Sequence, residues 1–292
     1  MALLVPNVFN FLSLLLAVNR LGGTVVPINP FLEKEELKNI LSLVDPHIIF
    51  AVKKYDRCKC FKAVYEWAHS IREETVIFET EDYCHWSTLV IKGSPKAVGE
   101  YDADIIDCAY DDEGVLKTAV MDMALIKHMD ESLSTVMALS KDDKVFGLAS
   151  LMSDGLGACL LLTLLKKQLQ FVVVESRNWQ EVISFIKKNR CNKLLTTLSL
   201  FKKLKVFAKH DQNLDLEKLE FIGFIDRMAQ SDLFKIKSTS SSAAIMPKMT
   251  SIYCLSEDGI TMFHVNAHEK IKMKWMLAWR ENRWLILPKE NR

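Results

Sequence analysis

One stretch, Leu14 to Pro30, constrains the fold most: LLLAVNRLGGTVVPINP. Phe11, Leu14, Leu15, Val18 and Leu21 recur at helical spacing and mark the buried face of a helix. Gly22 and Gly23 stop that helix, because glycine accepts left-handed backbone angles without steric cost. Thr24-Val25-Val26 is β-branched and starts a strand, and Pro27 and Pro30 limit how far it can pair. Helix, glycine stop and short strand make half of an α/β layer unit.

The same alternation runs on through the chain. Strands are expected at Met1–Val5, His47–Val52 and residues 75–79, and helices over residues 33–44 and 55–70. The pattern weakens from Glu79 to Glu100, where Gly93-Ser94-Pro95 marks a loop and a passage between two lobes. Beyond it, helices are expected at residues 132–138, Leu156–Lys167, Trp179–Asn189 and Leu200–His210. Strands are expected at Lys144–Leu148, Phe171–Glu175, Lys193–Thr197 and Leu219–Phe224. Ser238–Ala244 is small and polar and reads as a loop. The fold class is therefore α/β, with mostly parallel sheets covered by helices. The first lobe spans residues 1–100 and the second residues 101–258, with a tail over 259–292. The tail holds Trp275, Trp279 and Trp284 among Lys and Arg. It reads first as an ordinary helix with Trp275, Met276 and Trp279 on its apolar face, and second as a membrane- or partner-binding helix.

Composition excludes several function classes. The 292 residues carry 38 Lys plus Arg against 37 Asp plus Glu, so no global field selects nucleic acid. The seven cysteines are odd in number and scattered, which suits a reducing compartment better than a disulfide framework. The apolar start lacks a basic flank and is interrupted by Pro6-Asn7, and no run reaches the roughly 20 apolar residues that span a bilayer. Glu290-Asn291-Arg292 is not a peroxisomal address, so a cytoplasmic location is expected. Cys58-x-Cys60, Cys84-His85 and His264-x3-His268 hold metal-ligand types but no complete zinc set, and no GxSxG nucleophile elbow occurs.

The string Ala17-Val18-Asn19-Arg20-Leu21-Gly22-Gly23-Thr24-Val25-Val26-Pro27-Ile28-Asn29-Pro30, continued by Glu33-Lys34-Glu35-Glu36-Leu37, resembles the early segment of the acyl-adenylate-forming (AMP-binding) enzymes. These include acyl-CoA synthetases, coumarate-CoA ligases and luciferases. Val145 to Phe224 is similar to their central region, most clearly in NWQEVISFIKKNRCNKLL and DQNLDLEKLEFIG. The resemblance implies the fold of their large N-terminal domain without the small C-terminal one, in a chain shortened at its front and ending early. It also implies ATP and Mg²⁺ as cofactors and an acyl or CoA-like ligand.

Activating an acid with ATP needs a glycine-rich phosphate cradle, an adenine platform and a Mg²⁺-binding carboxylate. In the resembling enzymes the cradle is a [ST]SGTTGxPKG run after a buried strand. Here the strand is Asp104–Tyr110, and the run reads Asp111-Asp112-Glu113-Gly114-Val115-Leu116-Lys117-Thr118, in which only Gly114 and Lys117 fit. Three carboxylates facing a triphosphate would each oppose it by about 1 kcal/mol or more at close range. In Ala149–Gly157, Met152 stands at the family's His and Asp154 at its Phe; Met152 reads more simply as a core filler. The adenine loop of SGGAPL type is replaced by Gly223-Phe224-Ile225-Asp226-Arg227-Met228. Tyr253-Cys254-Leu255-Ser256-Glu257 is similar to the YGxTE motif. By that resemblance Tyr253 stacks on adenine, Ser256 lies near the phosphate and Glu257 ligates Mg²⁺. An alternating strand end is the plainer reading of the same residues.

The expectation is thus a degenerate relative that does not activate acids with ATP alone. It would at most bind a small molecule, or a partner such as a related full-length enzyme. The rival is a working ligase using Lys117, Tyr253, Ser256 and Glu257 for MgATP. The third class is a protein- or membrane-interaction module built on the tail.

Overall fold

The computed structural model describes residues 1–54, 59–71, 73–94, 103–110, 114–148, 151–173, 178–209, 219–225, 248–255, 259–265, 273–280 and 283–288. The chain divides into two compact units. Met1–His128 with Leu151–Leu162 forms one, and Met129–Ser150 with Thr163–Arg292 the other.

The first unit opens with β1 (Ala2–Leu4), α1 (Val8–Arg20) and β2 (Val26–Pro27). The Asn7 side chain caps α1 by accepting from the Asn10 N–H at 3.0 Å, and Phe11, Leu15 and Val18 are its buried residues. Gly22, at φ +75°, takes the left-handed turn after it. α2 (Lys34–Val44) starts with a capping box between Glu33 and Glu36, then β3 (Ile48–Val52), α3 (Cys60–Ser70) and β4 (Thr75–Thr80) follow. β5 (Trp86–Ile91) returns antiparallel to β4, where only a weakened pattern and a loop had been expected. The sheet order is β2-β1-β3-β4-β5, with the first four strands parallel. Leu4, Leu37, Leu41, Ile49, Val64, Trp67 and Ile77 lie in one buried core beneath it.

A separate hairpin, β6 (Ile105–Tyr110) and β7 (Leu116–Met121), is tied to this unit through the opening stretch. Val25 bridges Ile105, the Thr24 hydroxyl donates to the Ala103 carbonyl at 2.6 Å, and the Asn19 amide donates to the Asp104 carbonyl at 2.8 Å. The Asn19–Val25 segment therefore acts as an anchor for β6.

α4 (Met123–Val136) starts nearer the chain's beginning than the expected 132–138. In the second unit the elements are β8 (Lys144–Gly147), β9 (Gln170–Val173), α6 (Trp179–Asn189), β10 (Lys193–Thr196), α7 (Leu198–Lys209), β11 (Phe221–Phe224) and β12 (Lys248–Leu255), with α5 (Gly155–Lys166) between β8 and β9. The strands β9, β8, β10, β11 and β12 run parallel in that spatial order. The expected tail helix is overturned: β13 (Gly259–Val265), β14 (Met273–Arg280) and β15 (Arg283–Pro288) extend the same sheet antiparallel. Trp275 and Trp279 sit on β14, paired with Pro288 and Trp284 of β15. Backbone ladders, and not helical spacing, organise that segment.

Candidate functional site

β6 is where the sequence resemblance puts the strand before a phosphate cradle. Ile105 and Ile106 are buried, and so is Asp107, at 7% exposure. Gly114, at φ +77°, lies between β6 and β7, and residues 111–113 lie outside the described set. Lys117 is already on β7, half-buried and opposite Ala109. The last three residues of the segment expected as a loop, Leu116–Thr118, are thus the start of the second strand of this hairpin.

The residues after β8 meet β6 in the first unit. Asp154 caps α5, its Oδ1 accepting from the Gly157 N–H at 2.6 Å, and Asp107 Oδ1 accepts from the Gly155 N–H at 2.9 Å. Two carboxylates thus occupy the first-turn N–H groups of one helix, where the dipole favours negative charge. The glycines permit this. A Cβ on Gly155 would lie 2.9 Å from both Asp107 Cβ and Met121 Cε, and one on Gly157 would press into the Leu151 carbonyl. Met152 is buried at 1% exposure and fills the core.

Charge in this corner is poorly compensated. Burial pushes the Asp107 carboxyl upward, against the opposing hydrogen bonds from Gly155 and Cys108. Asp154 is pushed up to about 7, by burial first and by the charge of Asp107 second. Cys108 is driven up to about 12 by the same two causes. Among the described residues no ion pair reaches Asp107 or Asp154. The pair therefore holds a proton well above the usual carboxylate range. Asp107 was not singled out in the sequence, although a charged residue amid Ile105, Ile106, Cys108 and Ala109 is the signal that could have found it.

The other candidates lie elsewhere or outside the described residues. Gly223 is central in β11, whose four residues are all buried, and the remainder of the adenine-loop segment from Asp226 lies outside. Tyr253 is on β12 in register with Thr261, whereas Ser256 and Glu257 lie outside the described residues. The structure thus brings together Gly114 and Lys117 on one hairpin but does not show the full MgATP set assembled. Of the metal-type pairs, Cys60 is buried and its thiol donates to the Val52 carbonyl, Cys84 is exposed, and His85 bonds Asp82. Cys58 and His268 lie outside. Among the described residues no three His, Cys, Asp or Glu side chains are grouped to hold a metal ion.

A cavity of about 260 Å³ opens at the carboxyl ends of β3 and β4, away from the motif residues, and is lined by Lys53, Glu79, Asp82, His85 and Trp86 among others. Its rim is internally paired: Lys53 with Glu79 at 3.0 Å, Lys54 with Glu81 at 3.0 Å, and His85 Nδ1 with Asp82 at 2.6 Å.

No model of a known protein family matches the sequence, and no curated protein matches it. Solved structures nevertheless share the fold. A long-chain-fatty-acid-CoA ligase of Archaeoglobus fulgidus aligns with a TM-score of 0.66 at 15% identity, over 89% of this chain and 53% of its own. The luciferase-like enzyme of the nonluminescent mealworm Zophobas morio gives 0.66 at 16%, over 90% and 61%. The o-succinylbenzoate CoA synthetase of Bacillus subtilis, in complex with AMP, gives 0.63 at 12%, over 90% and 63%. This chain therefore has the α/β fold of a large part of acyl-CoA ligases and luciferase-like enzymes, and spans between half and two thirds of the length of these three. Among the described residues no helix is long and apolar enough to cross a membrane.

Proposed function

We propose that this chain is a divergent relative of the acyl-adenylate-forming enzymes that does not activate carboxylic acids with ATP by itself. One observation carries the reading. At the hairpin and helix that the resemblance aligns with the phosphate cradle and acyl-pocket segment, the chain's own carboxylates, Asp107 and Asp154, occupy the α5 N–H groups. An incoming triphosphate would meet this buried acid pair, with Asp111, Asp112 and Glu113 following in sequence. Gly114 and Lys117 alone supply too few donors for a cradle.

The test is calorimetry of MgATP with the wild-type chain and with Glu257→Ala. No binding heat up to on the order of 1 mM is expected. Micromolar binding that disappears in Glu257→Ala would overturn the reading in favour of a ligase that uses Lys117, Tyr253, Ser256 and Glu257. The ligand that such a chain serves instead would be an acyl or CoA-like molecule or a partner protein.

A further inference from the structure

The helices α6 and α7 carry charge of one sign. Between Asn178 and Lys209 stand eight Lys or Arg and a single acid, Glu181, in a protein whose 38 Lys plus Arg are matched by 37 Asp plus Glu. Glu181 lies in the first turn of α6, where its carboxylate accepts from the Asn178 amide at 3.3 Å, and Lys193 is buried beside Asp143. Lys188, Arg190, Lys202 and Lys203 are exposed, and Lys187 and Lys205 are half-buried. Among the described residues those four exposed cations make no ion pair. A face that is merely solvated mixes both signs, as on α2, where Lys34 and Lys38 reach Glu66 of α3 at 2.6 and 3.1 Å.

Val182, Ile183 and Ile186 of α6 share one core with Phe201 and Leu204 of α7, and Trp179 stacks on Phe207 at 5.4 Å. The two helices therefore lie side by side on one face of the sheet, and their outward sides join into one surface. Three large apolar side chains are exposed there, Phe185 at 42%, Val206 at 57% and Phe207 at 42%. Each lies one helical turn from an exposed lysine: Phe185 from Lys188, Val206 from Lys202 and Phe207 from Lys203. We propose that this surface docks on an anionic lipid bilayer, with the lysines at the headgroups and Val206 and Phe207 entering the boundary with the acyl chains. Charge complementarity selects an anionic partner. The apolar side chains select among anions. A nucleic-acid backbone of phosphates offers nothing to Val206, whereas a lipid interface receives lysines and apolar groups together. The tail expected to carry such a role is not needed for it.

Co-sedimentation of the full chain with vesicles tests this. It should bind phosphatidylcholine vesicles that contain about 30% phosphatidylserine, and leave them at about 0.5 M NaCl. Vesicles of phosphatidylcholine alone should bind it about tenfold less. Lys202→Glu with Lys203→Glu should lower binding to the anionic vesicles about tenfold or more. Val206→Ser, which alters no charge, should lower it about threefold. Lys127→Glu with Lys141→Glu changes the net charge equally at exposed sites outside α6 and α7, and should bind nearly as the wild type does. No preference for anionic vesicles, or an equal loss in the two double variants, would overturn the proposal. So would a chain that binds duplex DNA and neither kind of vesicle. If the Lys202 and Lys203 variant fails to fold, the salt dependence of the wild type and the Val206→Ser loss decide together.

Discussion

Each unit buries a carboxylate beside a strand, but the two units neutralise it differently. In the second unit Asp143, 4% exposed, accepts from the Ser140 N–H at 2.6 Å and the Asn192 amide at 2.7 Å, and faces Lys193, itself 3% exposed, at 3.3 Å. Burial would raise the Asp143 carboxyl, yet these partners together hold it below the usual range. In the first unit Asp107 is also buried, but the charged group nearest to it in effect is a second acid, Asp154. One cluster is completed by a cation and the other retains a proton. A buried acid with its own lysine is a structural device. A buried acid pair without a cation is tolerated at a cost.

Removing the cation should make the second cluster the more damaging one to disturb. Lys193→Met leaves Asp143 buried and unpaired and should lower stability by about 3–5 kcal/mol in urea unfolding. An unchanged midpoint would erase the contrast between the units. Next in size is Gly157→Ala, whose Cβ would press into the Leu151 carbonyl and displace the first turn of α5. A loss of about 1–3 kcal/mol is expected in the same assay.

The pH dependence sharpens the comparison, because the signs are opposite. The Asp143 carboxyl is lowered on folding. Its contribution is present above the unfolded value of 3.8 and lost as pH falls through the folded one. Asp154 is raised from 3.8 to about 7, so the folded state binds more protons between those values. Its contribution is full in acid and lost as pH rises toward 7. Asp107→Asn keeps an oxygen for the Gly155 N–H and removes the charge. It should raise stability at pH 8 by on the order of 1 kcal/mol and flatten the decline from pH 5 to 8. A variant whose slope matches the wild type would show that the two acids do not share a proton.

Much of the architecture was readable where local signals agreed. α6 spans the expected Trp179–Asn189, where buried Val182, Ile183 and Ile186 at helical spacing follow an Asn178 side chain that accepts from the Gln180 N–H. β5 escaped because Ser87 and Thr88 are both exposed, which breaks the alternation a half-buried edge strand normally shows. The tail misled because Trp275, Met276 and Trp279 fit helical spacing, while the ladder of β14 with β13 and β15 is a long-range choice that spacing does not record. Gly114 and Lys117 were named from motif position, and Asp154 as a departure from it. The meeting of Asp107 with the α5 N–H groups was not legible, since residues 48 apart are joined only by the fold.

The smallest expected effect concerns an acid that is neither buried nor short of a cation. Asp82 accepts from the Thr80 hydroxyl, the Cys84 and His85 N–H groups and the His85 ring, and its carboxyl lies well below the usual range. The His85 ring is raised above its ordinary value of 6.5, chiefly by the hydrogen bond to Asp82 and then by its charge. Its contribution is therefore full below 6.5 and lost as pH rises through the folded value. Both side chains are largely in water, at 89% and 52% exposure, so the change in folding stability should be slight. Ring proton shifts of His85 should still titrate above 6.5 in the wild type and return to the ordinary value in Asp82→Asn. High salt should leave most of the shift in place, since a direct hydrogen bond is less screened than a distant charge. A ring titrating at 6.5 in the wild type would mean that an exposed acid perturbs its neighbour no more than solvent does. The contrast among the carboxylates would then rest on burial alone.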